Sequence, residues 1–126
     1  MVWYKEVIEK LQASGLFREV KLIETKVRGS LDETCFLDVH FDPTTRSYSY
    51  AVIDLSLPYP GDKRLLGWDD YPHEDVTEIR QLESYPHHFQ RRAEDGSWCF
   101  EASPMRGDVG GEIDVVIATV RAYLRP

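Results

Sequence analysis

The chain has 126 residues, 42% of them hydrophobic, 12% aromatic and 29% charged, with a formal net charge of −7 and a pI near 5.0. Its aromatic content excludes a disordered chain, and its length is that of one domain able to bury a core without staples. The acidity excludes broad charge-driven binding to DNA or RNA but leaves room for a local basic rim. Two distant cysteines, Cys35 and Cys99, with no CxxC, exclude a disulfide framework or a cysteine zinc site.

The opening stretch "MVWYKEVIEKLQASGLF" carries charges every few residues, so it reads as neither a signal peptide nor a membrane span, and the expected location is the cytoplasm. Its apolar residues Trp3, Tyr4, Val7, Ile8 and Leu11 fall on one stripe, with Lys5, Glu6, Glu9 and Lys10 opposite. That is the pattern of an amphipathic helix. Ser14-Gly15 marks its end.

The period then changes to two. "REVKLIETKVRG", Arg18 to Gly29, reads as one strand whose alternation flips near Leu22-Ile23, predicting a bulge. In "TCFLDVHFD", Cys35, Leu37, Val39 and Phe41 take one side and Phe36, Asp38, His40 and Asp42 the other. After a turn at Pro43, "RSYSYAVIDLSL" and "RLLGWDD" complete a four-stranded meander, broken by "YPGDK". "HFQRR" and "SWCFEA", joined at Glu94-Asp95-Gly96, make a hairpin. A final helix runs through Ile113, Val116, Ile117, Val120 and Leu124, with Asp108 as N-cap. Glu112 and Asp114 lie early in it and Arg121 and Arg125 late, as its dipole favours. The expected fold is a single α+β domain over residues 1–126. It has an antiparallel sheet of about four to six strands, with the N- and C-terminal amphipathic helices packed on one face.

Chemistry concentrates in "WDDYPHEDVTEIRQLESYPHHFQ", Trp68 to Gln90, which holds three of the four histidines. The fourth, His40, reads as a surface residue. If "RLLGWDD" and "HHFQRR" are neighbouring strands, Asp69/Asp70 come beside His87/His88 and the long connection returns His73 to the same edge. Adjacent strand residues point to opposite faces, so only one of each pair reaches a shared pocket. Lys63, Arg91 and Arg92 are the candidate rim cations for phosphate. Three readings stay open on the residues alone. One is metal-free RNA cleavage by histidine acid–base chemistry. Another is a divalent ion, zinc or manganese, on mixed nitrogen and oxygen ligands; a metal-free site is favoured over it. The last is a purely structural role for Pro-His turns. No phosphate-binding glycine loop, GxSxG or HExxH is present.

"YSY" at Tyr48 to Tyr50, "LLGWDDYPHE" at Leu65 to Glu74 and "SYPHHFQ" at Ser84 to Gln90 resemble the TumE-like toxins of TumE–TumA toxin–antitoxin pairs, over roughly residues 33 to 90. The matching positions are Trp68, Asp69, Pro72, His73, Pro86, His87 and His88. Gly67 stands where the family tends to have arginine, Asp70 where it has asparagine, and Phe89-Gln90 where it has Lys-His. The resemblance implies a toxin held inactive by a cognate antitoxin, with RNA or the translation apparatus as target. The candidate site is then Asp69, His73, His87 and His88. His87 or His88 would act as base or acid, Asp69 would orient it, and Arg91 with Lys63 would bind phosphate. A non-enzymatic binding module on the same scaffold is the alternative, and pairing of two chains through an edge strand is a further expectation.

Overall fold

The computed structural model describes residues 2–124. In chain order the elements are α1 (Trp3–Ala13), β1 (Glu19–Ile23), β2 (Lys26–Ser30), β3 (Cys35–Phe41), β4 (Tyr48–Asp54), β5 (Arg64–Asp69), α2 (Thr77–Arg80), β6 (His88–Arg92), β7 (Trp98–Ala102) and α3 (Val109–Leu124). The strands form one seven-stranded antiparallel sheet in the order of the sequence. The fold is α+β, as the alternation predicts, with slightly more strands than the four to six expected.

The extra strand comes from the segment Arg18 to Gly29, which is a hairpin and not one bulged strand. Leu22 pairs with Val27 and Ile23 with Lys26. Glu24 makes the reversal with φ 55°, the left-handed region. The flip in alternation marks that turn, but Glu24-Thr25 lacks the Asn-Gly or Asp-Gly chemistry by which tight hairpins are usually recognised.

One face of the sheet is apolar because the strands alternate. Cys35, Leu37, Val39 and Phe41 from β3, Tyr48, Tyr50 and Val52 from β4, and Leu66 and Trp68 from β5 meet Val7 and Leu11 of α1 and Ile113, Val116, Ile117 and Val120 of α3 in one core. Each fully buried aliphatic side chain in such a core contributes about 1.5–3 kcal/mol, so this layer dominates the stability. The helices are tied to each other by polar contacts at the rim. Lys10 reaches the Asp114 carboxylate at 2.8 Å, and Arg121 donates to the Ser14 carbonyl at 3.0 Å. The Asp108 carbonyl accepts from the Glu112 N–H, which places Asp108 at the head of α3 as expected. The predicted contributions of the Leu124 side chain and of Arg125 lie outside the described residues.

The opposite face carries a polar row set by the registers. Lys26 pairs with His40, His40 with Ser49, Ser49 with Asp69, and Asp69 with His88. Directly paired residues project to the same side of a sheet, so these five side chains lie in line across five strands. At the far end of the sheet Arg92 is clamped between the Tyr59 and Trp98 rings, 4.9 and 3.9 Å from their centroids. It also donates to the carbonyls of Arg64, Gly96 and Asp62. Trp98 thus packs on the sheet face under an arginine, and Trp68 packs in the core.

The cysteines behave as the sequence implies. Both are free, Cys35 buried on β3 and Cys99 half-buried on β7. Four strand steps of about 4.8 Å separate them, far beyond disulfide reach. Burial, with Asp54 and Asp32 adding, pushes the Cys35 thiol up to about 11. A thiol reagent at mildly alkaline pH is therefore expected to label Cys99 in the folded protein and Cys35 only on unfolding. Equal labelling rates at the two would contradict this packing. Among the described residues no helix is long and apolar enough to cross a membrane.

Candidate functional site

The site begins with a strand pair. Asp69 ends β5 and His88 opens β6, and the two are directly paired on the polar face. The connection between them, residues 70–87, carries α2 and leaves the sheet edge before coming back to it. It is held near its start by the His73 N–H to the Tyr71 carbonyl at 3.0 Å and the Val76 N–H to the His73 carbonyl at 3.1 Å. That loop lays the His73 ring edge-on against the His88 ring, 5.2 Å between centroids. One ligand-capable atom from each of Asp69, His73 and His88 lies within 4.8 Å of the other two. The expected convergence of the strand ends with His73 is present.

Each member is held from behind. His88 is fully buried. Its Nδ1 lies 3.0 Å from the Pro86 carbonyl, so Nδ1–H donates there and Nε2 faces inward. Nε2 stands 3.1 Å from Gln90 Oε1 and 3.4 Å from Asp69 Oδ1. Asp69, also buried, accepts the Tyr71 N–H at Oδ1 over 2.9 Å and meets the Arg64 guanidinium at Oδ2 over 3.3 Å. The cluster opens on a cavity of about 390 Å³ lined by His40, Ser49, Arg64, Asp69, Tyr71 and His73 among others. A larger groove of about 660 Å³ lies between the beginnings of α1 and α3. Its lining has the carboxylates Glu6, Glu9 and Asp108 beside Lys5 and Arg46 but no histidine, so imidazole and carboxylate meet only in the smaller of these two cavities.

The remaining predicted residues lie elsewhere. His87 is not part of the cluster: it points away from His88, with Nδ1 2.8 Å from the Tyr48 hydroxyl, which in turn donates to the Met105 carbonyl at 3.2 Å. Burial first, then the Arg106 guanidinium, lower the His87 imidazole from its ordinary value. Asp70 also stays out of the cluster: it accepts from Ser47 Oγ at 2.7 Å, at another wall of the same cavity. Arg91, one residue out of phase with Gln90, pairs with Glu101 at 2.9 Å. Lys63 donates to the carbonyls of Leu57 and Tyr59 within its own loop. Neither cation rims the cavity, because strand parity turns one away and local carbonyls hold the other.

The cation that does border it is Arg64. In a regular strand Arg64 would share the face of Leu66 and Trp68, opposite to Asp69. The register slips, however: Val52 pairs with Leu66 and Ile53 with Arg64, leaving Leu65 unpaired. This bulge brings Arg64 to the polar face. Gly67 is the one residue of "RLLGWDD" whose type hints at an irregularity, but it marks the close approach of Tyr50 and not the slip at Leu65. Gln90 is the other group not foreseen. Its two-residue spacing from His88 on a strand is the signal that places it on the same face.

No protein-family model matches the chain, and no curated protein or solved structure matches it significantly.

Proposed function

We propose that this chain is the toxin component of a toxin–antitoxin pair and acts on RNA through Asp69, His73 and His88. The observation that supports the reading most is the convergence of these three side chains within 4.8 Å beneath an open cavity. Phosphodiester cleavage asks for a group that activates the attacking oxygen and a positive charge that steadies the phosphate. The cluster supplies the first, and Arg64 at the cavity wall supplies the second. The resemblance of "WDDYPHE" and "YPHHF" to TumE-like toxins agrees with this assignment at Asp69, His73 and His88. A cognate antitoxin is the implied partner.

Expression of the chain alone is the test. The wild type is expected to arrest growth and fragment cellular RNA, and Asp69→Asn/His73→Ala to do neither. A wild type that leaves growth and RNA intact overturns the reading. One observation favours a binding module instead. Arg28 is committed to Asp38, Arg64 to Asp69 and Arg91 to Glu101, on a chain of net charge −7. That reading predicts an inert wild type that captures a partner equally well after the same two substitutions.

A further inference from the structure

We infer that Asp69, His73 and His88 bind one divalent first-row transition-metal ion, zinc in preference to manganese. The inference deepens the reading of this site as an RNA-cleaving centre and rests on that reading for the ion's use, not for its binding.

The geometry of the donor atoms carries it. Asp69 Oδ1 and His88 Nε2 are 3.4 Å apart. Two ligands on a tetrahedral ion with bonds of roughly 2.1 Å stand about 3.4 Å apart. This edge of the polyhedron is therefore already formed, and it comes from two strand residues in register. The third donor, on His73, is within 4.8 Å of both. His73 sits on a loop and is half-buried, so its ring can close the remaining distance of up to about 1.4 Å without moving the sheet.

The surroundings are those of a ligand set. A metal-binding histidine is usually fixed by a hydrogen bond from its other ring nitrogen, and a ligating carboxylate is itself hydrogen-bonded. His88 Nδ1 has the Pro86 carbonyl, and Asp69 has the Tyr71 N–H and Arg64. Around His88 Nε2 the nearest polar atoms are oxygens, Gln90 Oε1 and Asp69 Oδ1. A neutral ring donating through Nδ1 presents a lone pair there, facing acceptors in a fully buried position. A cation held by Nε2 and Asp69 Oδ1 relieves this meeting of acceptors. Without an ion the same is achieved by a second ring proton, on Nε2, donated to these oxygens, or by a half-turn of the Gln90 amide that presents its NH₂ group.

Two imidazoles and one carboxylate suit zinc above manganese, which prefers oxygen donors and stands lower in the affinity order. Three protein ligands leave a fourth position, and two of them, Asp69 and His73, line the cavity bordered by Arg64. A water or a phosphate oxygen reaches the ion from that side. This is the arrangement of catalytic rather than structural zinc.

The experiment is calorimetric titration of chelator-treated wild type with zinc chloride and, separately, manganese chloride. His73→Ala and His40→Ala are run beside it, with circular dichroism to establish folding. His73 is half-buried on a loop, so its loss spares the fold. The expected result is one zinc per chain, with affinity lowered about 100-fold or more by His73→Ala and unchanged by His40→Ala. Manganese should bind more weakly at the same stoichiometry. No zinc binding by the folded wild type, or equal affinity in His73→Ala, overturns the proposal. RNA cleavage assayed with and without chelator separates the two claims. Cleavage that survives chelation in a protein without zinc removes the ion and leaves the RNA reading. Bound zinc in a protein that cleaves no RNA does the reverse.

Discussion

On the proposed RNA-cleaving role, His88→Ala is expected to abolish cleavage and to cost the fold about 2–4 kcal/mol at the same time. The ring is fully buried and lies against the Pro86 carbonyl, Gln90 and Asp69. Alanine leaves those polar groups facing a void, and buried groups left without partners carry most of the penalty of a deleted hydrogen bond. Activity should fall by about a hundred- to ten-thousand-fold, the usual scale for loss of an acid–base group. His73→Ala is the companion that separates the two effects. It removes a donor atom from the cavity while its half-buried loop position leaves the melting temperature nearly unchanged. Thermal unfolding followed by circular dichroism, with cleavage of a single-stranded RNA measured on the same preparations, checks both. A His88→Ala protein as stable as wild type would mean that the ring is not held as described.

Gly67→Ala is expected to be nearly as damaging, for a reason confined to the backbone. A Cβ at this position would lie 2.6 Å from the Tyr50 carbonyl oxygen, 3.3 Å from Ala51 Cα and 3.4 Å from Arg64 Cδ. The first two are backbone atoms of the central pair of strands and cannot turn aside. A cost of about 2 kcal/mol or more follows, roughly 8 °C in melting temperature for a domain of this size. Part of the effect should be on function, because the Arg64 side chain crosses over Gly67 to reach Asp69. The TumE-like motif that this stretch resembles tends to carry arginine at the corresponding place, and an arginine on this backbone would collide with β4. Gly67→Arg is therefore expected to destabilise the sheet further and not to add a phosphate-binding cation. Unfolding midpoints of the two variants against wild type decide the matter, and an unchanged midpoint for Gly67→Ala would contradict the close approach of β4 and β5.

What was legible in the sequence followed from period and parity. The helix stripe through Val7 and Leu11 and the alternation through Leu37 and Val39 face the same core. Parity also allowed only one of His87/His88 and one of Asp69/Asp70 into a shared pocket; Asp69 and His88 are the paired residues, but Asp70, just past the end of β5, lines the cavity as well. Which of the two histidines it would be depends on where β6 begins, and no residue type announces that. The Arg18–Gly29 hairpin was hidden because Glu24 adopts the left-handed conformation without the side chain that usually favours it. Arg64 was missed because the bulge at Leu65 reverses its side, and pairing irregularities belong to the partner strand as much as to the strand itself. Lys63 and Arg91 were drawn to the rim by charge alone. A lysine beside free carbonyls and an arginine across from Glu101 find nearer partners.

The division between the two adjacent histidines gives the account its sharpest point. His87 shares its polar contacts with Tyr48 on the side of Met105, and His73 shares the cavity with Asp69 and His88. Losing the His87–Tyr48 hydrogen bond should cost about 1 kcal/mol of stability and little else. The measurement is the rate of RNA cleavage by purified His87→Ala and His73→Ala relative to wild type, under conditions where all three are folded. The account predicts that His87→Ala cleaves within a few-fold of wild type while His73→Ala loses about 100-fold or more. Loss of cleavage in His87→Ala with full activity in His73→Ala would contradict it and move the site to the other face of the sheet.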